Sequence, residues 1–122
     1  MLIKDLYTLD DFSMGQDEIN ATVTINKNHA VFTGHFPGNP VMPGVCMIQM
    51  IKELVEKGLN KTLFMKQSSN IKFMALINPE VNSVLNLHIS LSYSDDQIKV
   101  KNTTKMDEVI ALKFSGTYIE TT

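Results

Sequence analysis

Residues 33–59 read TGHFPGNPVMPGVCMIQMIKELVEKGL, and this stretch joins a loop to a helix. The segment from Thr33 to Gly44 holds three proline and three glycine residues in twelve positions, which is too many breakers for a regular element and predicts a shaped loop. The segment from Val45 to Leu59 contains no proline, and its first two turns are apolar on nearly every side. We therefore expect a helix that is buried at its front end and ends near Gly58. Its polar stripe consists of Gln49, Lys52, Glu53 and Glu56.

Alternation of apolar and polar residues predicts strands on both sides of this loop and helix. The strands are expected at 18–26, 70–77, 81–93, 97–102 and 109–119, with turns at 95–96 and near 106–108. A single helix followed by antiparallel strands is typical of an α+β fold in which the helix packs on one face of the sheet. With 122 residues, the chain is expected to form one domain spanning 1–122.

Composition narrows the classes of function. The formal net charge is −2 and every basic residue is a lysine, so nucleic acid is not an expected partner. The sequence contains no apolar run of the roughly 20 residues that a membrane span requires. Cys46 is the sole cysteine and cannot form an intramolecular disulfide. A cytoplasmic location is therefore expected.

The loop and the start of the helix bring together the parts of an active site. His35 carries an imidazole that titrates close to neutral pH, so it is suited to proton transfer. The N–H groups of the first helical turn, around Gly44 and Val45, are suited to hold negative charge on a carbonyl oxygen. A base beside an oxyanion site is the minimum for removing a proton next to a thioester carbonyl.

Other reactive side chains fit ordinary structural roles. Cys46 lies in an apolar setting and is expected to be a core thiol rather than a nucleophile. His29 and His88 are expected at the surface. The sequence has no cysteine cluster and no His-x-x-x-His spacing, so no metal site is predicted.

Residues 35–45 match every fixed letter of H-F-P-G-x-P-x-x-P-G-V, the motif of the 3-hydroxyacyl-[acyl-carrier-protein] dehydratases. The chain resembles that family along nearly its whole length. The resemblance implies a hotdog fold, an antiparallel sheet wrapped around one long central helix, and a dimer joined edge to edge with an acyl tunnel at the interface. It also implies reversible dehydration of a 3-hydroxyacyl thioester to the trans-2-enoyl thioester, with His35 as base and the Gly44 amide polarising the carbonyl.

The chain departs from the family at the catalytic acid. The family has Glu or Asp fourteen residues after the histidine, whereas this sequence has Gln49 there and Glu53 one helical turn later. Glu53 is the candidate for a displaced acid, and a non-catalytic acyl-binding subunit or a thioesterase remains the alternative. Gln49 is a candidate substrate contact or a structural amide. The other expected substrate contacts are Phe36, Met42 and Val45, although Met42, Met47 and Met50 could equally fill the core.

The resemblance also implies the partners. The substrate would arrive on the phosphopantetheine arm of an acyl-carrier protein or as a coenzyme A thioester, and no cofactor is expected. An acidic carrier would require a basic docking patch, for which Lys66, Lys72, Lys99, Lys101 and Lys105 are candidates, unless these lysines form only a solvated strand face. A homodimer or higher oligomer, or a pair with a related hotdog subunit, is expected.

Overall fold

The computed structural model describes residues 5–32 and 41–121. The described residues form six strands, a 3-10 turn and one α-helix. They are β1 (Tyr7–Gly15), β2 (Glu18–Ile25), the 3-10 turn (Ala30–Phe32), α1 (Gly44–Leu59), β3 (Leu63–Phe73), β4 (Val84–Ser94), β5 (Gln97–Met106) and β6 (Val109–Glu120).

All six strands join one antiparallel sheet in the order β1-β2-β4-β5-β6-β3. The long connection from β2 to β3 contains α1 and carries the chain from one side of the sheet to its far edge. This arrangement confirms the predicted antiparallel sheet with a single helix. The helix has 16 residues, so it is of moderate length rather than long.

The core lies between the inner face of the sheet and the apolar side of α1. Along β2 the buried residues recur at every second position, as the alternation predicted. The helix contributes six buried side chains, which are Cys46, Met47, Met50, Ile51, Leu54 and Val55. No helix in the described ranges is long and apolar enough to cross a membrane.

The helix ends at Leu59, next to the Gly58 that the sequence indicated, but Gly58 is not its cap. Its C-cap is Asn60, which adopts the left-handed conformation with φ of 54°, and the Asn60 N–H bonds to the Glu56 carbonyl. Gly58 lies inside the helix, where a Cβ would come within 2.8 Å of Ile19 Cδ1. Gly58 therefore allows the helix to pack closely against β2.

The two edge strands differ most from the sequence prediction, and β5 continues to Met106 where a strand over 97–102 was predicted. β1 was not predicted, because a register shift between Leu9 and Asp11 interrupts its alternation. β3 covers Leu63–Phe73 rather than 70–77, and it contains register shifts at 65–67 and 68–70. The predicted turns are present, with Asp95 and Asp107 in the left-handed conformation.

Candidate active site

The first amide of α1 lacks an acceptor among the described residues. Pro43 is the N-cap, has an extended backbone with φ of −66° and ψ of 145°, and supplies no side-chain cap. The Cys46 and Met47 N–H groups share the Pro43 carbonyl at 3.1 and 3.3 Å. Within residues 5–32 and 41–121, no acceptor takes the N–H of Gly44. Such a helix start favours binding of a negatively charged oxygen.

A ring from the sheet edge lies against this helix start. A Cβ built on Gly44 would lie 3.1 and 3.2 Å from two ring carbons of Phe73. Phe73 is 44% exposed and ends β3, so the ring borders Gly44 without closing the site off from solvent. The Met42 N–H bonds to the Ile77 carbonyl at 2.8 Å and fixes the approach to the helix. Sequence reasoning missed Phe73, since only the sheet register brings it here.

Two of the predicted site residues, His35 and Phe36, lie outside the described residues. The chain on either side of 33–40 is anchored in the core, because Phe32 and Met42 are 6% and 2% exposed. The proposed roles of His35 and Phe36 therefore stay predictions.

The Glu53 carboxylate makes two hydrogen bonds, one to each oxygen. The Tyr7 hydroxyl donates to Oε1 at 2.9 Å, and the Gln49 side-chain amide donates to Oε2 at 3.1 Å. Burial, and next the bond to Glu53, raises the pKa of Tyr7 well above its ordinary range. The helix residues Gln49 and Glu53 are thus directly hydrogen-bonded to each other. Tyr7 is the third residue of this hydrogen-bonded group, and sequence reasoning missed it.

The remaining substrate-contact candidates fall into two groups. Met42, Met47 and Met50 are buried and belong to the core cluster of the single chain. Val45 is 74% exposed on the first turn of α1, beside the open amides. Val45 is therefore available to a ligand or to a second subunit.

Cys46 and the described histidines occupy ordinary structural positions. Cys46 is 3% exposed, and burial raises the pKa of its thiol, as a core cysteine requires. His88 is exposed and lies 2.6 Å from a carboxylate oxygen of Glu18, whereas His29 is half-buried and accepts the Val31 N–H through Nδ1. In the part of the chain that the structure describes, no group of three or more acidic, histidine or cysteine side chains could hold a metal ion.

Lysines collect on the outer face of the sheet. The register pairs Lys72 of β3 with Lys113 of β6, and Lys113 with Thr103 of β5. We refer to Lys72, Lys99, Lys101, Lys105 and Lys113 as the lysine surface. Lys66 is not part of it, because it is bulged between Met65 and Gln67 and has no partner on β6. Lys113 was not among the predicted residues, since its position depends on strand pairing.

Strands β3 to β6 contain six lysines and a single acidic residue, Glu120. Glu120 pairs with Lys61 at 3.5 Å, at the end of β6 far from Lys72. The lysine surface is therefore strongly positive on a chain whose net charge is negative.

Comparison with known proteins agrees with this architecture. The ApeI-like family model, described as ApeI dehydratase, matches residues 12–115. The 3-hydroxyacyl-[acyl-carrier-protein] dehydratase FabZ of Lactobacillus helveticus is 32% identical over 119 residues, covering 91% of this chain and 78% of that protein.

Solved structures show the same fold. A chain of the dehydratase heterocomplex ApeI:P from Xenorhabdus doucetiae superposes with a TM-score of 0.78 at 18% identity, covering 93% of this chain and 97% of that one. A hypothetical thioesterase with coenzyme A from Streptococcus pneumoniae TIGR4 superposes with a TM-score of 0.63 at 16% identity, covering 94% and 85%. Because the family model spans most of the sequence and the loop motif is intact, this chain belongs to the hotdog-fold dehydratase family of ApeI and FabZ.

Proposed function

We propose that this protein is a hydro-lyase that reversibly dehydrates a 3-hydroxyacyl thioester to the trans-2-enoyl thioester in fatty-acid or related acyl-chain biosynthesis. The observation that carries the proposal is the Gly44 amide at the start of α1, which bonds to no acceptor among the described residues and follows the predicted loop that contains His35. A thioester carbonyl bound there would have its developing charge stabilised beside a base. The whole chain, 1–122, would act as one catalytic domain.

The reaction proceeds by proton transfers and needs no cofactor. His35 removes a proton from Cα, and the electron pair moves toward the carbonyl oxygen, which accepts the Gly44 N–H. The Cβ–O bond then breaks, the Cα=Cβ bond forms, and protonated Glu53 gives its proton to the departing hydroxyl, which leaves as water. In the reverse direction, ionised Glu53 takes a proton from water while the His35 imidazolium returns one to Cα.

The choice of Glu53 as the acid follows from its relation to Gln49. An amide has no titrating proton to give, and Glu53 is the nearest carboxyl on the same helical face, about 6 Å along by the i, i+4 relation. The hydrogen bond between them is 3.1 Å long, so the two side chains would act as a unit. Gln49, Phe36 and Val45 would contact the substrate, whereas Met42 is buried in the core of the single chain.

A second copy of the chain would complete the acyl site. β3 is an edge strand of 11 residues, and its inner face leaves Ile71 and Phe73 42% and 44% exposed. Pairing of two β3 strands would cover these side chains and place α1 of each copy near the other. A related hotdog subunit could take the place of the second copy, since the Xenorhabdus doucetiae relative belongs to a dehydratase heterocomplex.

The lysine surface would dock an acidic acyl-carrier protein that presents the substrate on phosphopantetheine. Lys72 is the member of the lysine surface that adjoins Phe73, the residue that borders Gly44, although the two side chains point to opposite faces of β3. The double variant Lys72→Glu/Lys113→Glu should lower kcat/KM for crotonyl-carrier protein at least roughly 10-fold. It should leave crotonyl-pantetheine turnover unchanged, because that substrate has no carrier. The control is Lys27→Glu, an exposed lysine outside the lysine surface.

Equal effects on both substrates, or none on either, would reject the lysine surface as the docking site. Binding should also weaken when salt is raised from about 50 to about 300 mM. A carrier affinity that does not respond to salt would contradict an electrostatic dock.

The catalytic proposal is tested by hydration of crotonyl-pantetheine, followed as loss of enoyl absorbance. His35→Ala should lower kcat by about 10² to 10⁴-fold, and Glu53→Gln should abolish most of the turnover. Wild-type activity in His35→Ala would show that His35 is not the base. If Gln49→Glu raises the rate strongly while Glu53→Gln has no effect, Glu53 is not the acid.

The alternative is a non-catalytic acyl-binding subunit or a thioesterase, and Gln49 in place of the family's acid favours it. An assay for free thiol separates hydrolysis from hydration. Tight binding of the acyl thioester without turnover would identify the binding subunit.

A further inference from the structure

The Tyr7 hydroxyl reaches the proposed acid from a separate element of the fold. Tyr7 is the first residue of β1, Glu53 lies on α1, and 46 positions separate them in the sequence. The bond from Tyr7 to Oε1 and the bond from Gln49 to Oε2 hold both oxygens of the carboxylate. In the described ranges no lysine or histidine forms an ion pair with Glu53. Tyr7 and Gln49 are thus the groups that orient this carboxylate.

We propose that Tyr7 is a positioning residue that clamps Glu53 and, through Glu53, fixes the orientation of the Gln49 amide. The inference rests on the proposed function, because it assigns a role to Tyr7 in the same reaction. Two donors hold the carboxylate in one orientation, in which it can exchange a proton with the departing or attacking water.

The hydrogen bond to Glu53 also determines which atom of the Gln49 amide can bond to a substrate. The Gln49 NH₂ group faces the carboxylate, since the reversed amide would bring two oxygens into contact. Its Oε1 therefore points away from Glu53, and no described residue donates a hydrogen bond to it, so it would accept one from the substrate's 3-hydroxyl. Gln49 would then orient the leaving group while Glu53 supplies the proton.

Tyr7 is suited to this role over the whole working range of pH. Its raised pKa keeps the phenol neutral and able to donate. The carboxylate thus keeps its donor whenever it is ionised.

The test compares Tyr7→Phe with Tyr118→Phe in the hydration assay. Tyr118 is a matched control, because it is fully buried and its hydroxyl has no hydrogen-bond partner in the described part of the chain. Tyr7→Phe should lower kcat roughly 10-fold with KM within about twofold, because the hydroxyl orients the acid without contacting the substrate.

The pH profile supplies a readout that a merely structural role would not change. Because the Tyr7 hydroxyl donates a hydrogen bond to Glu53, its removal should change the pH dependence of kcat for hydration in Tyr7→Phe. Tyr118→Phe should keep the wild-type profile. In Glu53→Gln, further replacement of Tyr7 by Phe should change kcat by less than about twofold, since the clamp is already lost.

A titration of the Tyr7 phenol by ultraviolet absorbance checks the contact without any turnover. The pKa of Tyr7 should fall when Glu53 is replaced by Gln, because the charged acceptor is removed. If the wild type is active and Tyr7→Phe keeps the wild-type kcat and pH profile, this inference alone is overturned. If Tyr7→Phe does not fold, an unchanged titration of the Tyr7 phenol in Glu53→Gln overturns it instead. An inactive wild type overturns the proposed function and the inference together.

Discussion

Replacement of Gly44 by alanine should impair catalysis without destabilising the fold. The new Cβ would lie 3.1 Å from the Phe73 ring. That ring is 44% exposed at the end of an edge strand, so it can shift by the small distance that a methyl group requires. Alanine also favours a helix over glycine by about 0.5–1 kcal/mol. We therefore expect the free energy of unfolding to change by less than about 1 kcal/mol.

The same methyl group should interfere with the proposed reaction. In the proposed reaction the thioester carbonyl would pass the Phe73 ring to reach the Gly44 N–H, so the methyl group and the displaced ring would hinder its approach. Loss of one oxyanion donor costs about 10² to 10³-fold in rate. Because Gly44→Ala keeps the N–H and only displaces the carbonyl, we expect kcat/KM to fall about 10- to 100-fold.

Gly58→Ala is the matched control on the same helix. Its Cβ would lie 2.8 Å from Ile19 Cδ1 and 2.9 Å from Met14 Sδ, and Ile19 is fully buried. Overpacking of this kind costs about 1–3 kcal/mol, or a decrease in Tm of about 4 °C per kcal/mol. Gly58 lies about 21 Å along the helix from Gly44, so the folded fraction should keep wild-type kcat/KM.

Urea unfolding followed by circular dichroism, together with crotonyl-pantetheine hydration, measures both quantities for each variant. The two glycines should show opposite patterns, with lost activity at 44 and lost stability at 58. Wild-type activity in Gly44→Ala would refute the role of this position. If the activity of Gly44→Ala falls only in proportion to the fraction of folded protein, the catalytic role of Gly44 is refuted as well.

Three further results are expected. Cys46 should react with a maleimide only as the protein unfolds, because the thiol is buried with a raised pKa, and rapid labelling of the native protein would contradict its core position. Burial raises the pKa of Tyr118 to about 12, so the contribution of Tyr118 to the free energy of unfolding should be constant below pH 10.0 and fall as the pH rises toward 12. Because Tyr7 and Cys46 also have raised pKa values, the test compares wild type with Tyr118→Phe in urea unfolding. The difference between their free energies of unfolding should change by about 2–3 kcal/mol between about pH 9 and about pH 12, and a difference that stays constant would contradict this. Ile71→Lys should convert dimers to monomers in sedimentation, because it places a charge on the half-exposed inner face of β3, and a dimer of unchanged affinity would argue against β3 pairing.

The central part of the fold follows from local patterns. Strands β2, β4, β5 and β6 alternate buried and exposed residues, so period two identifies them directly. The helix follows from a stretch without proline after a loop rich in breakers. The edge strands do not follow, because register shifts in β1 and β3 place two residues opposite one and reverse the face on which the next side chain lies.

Some residues of the candidate site can be predicted from local sequence spacing, whereas others depend on contacts between distant parts of the chain. Gly44, Gln49 and Glu53 lie on one helix, so the sequence spacing predicts their relation. Tyr7 and Phe73 reach that helix from the two edge strands, and only the completed sheet brings them there. Pattern analysis of a single sequence therefore finds the helix residues and misses their partners.

Relative to the family, this chain has the amide at 49 and the acid at 53 of α1, and the hydrogen bond from Tyr7 depends on that order. In the order found here, the phenol meets a charged acceptor and the amide occupies the position nearer the open helix start. With a carboxylate at 49 and an amide at 53, the Tyr7 hydroxyl would face a neutral acceptor, and the acid would lack the phenol as a donor. The single change Gln49→Glu would set two carboxylates one turn apart, where like charges repel. Tyr7, Gln49 and Glu53 therefore have to be considered as one unit, and the position of the acid depends on a residue of β1 as much as on the helix that carries it.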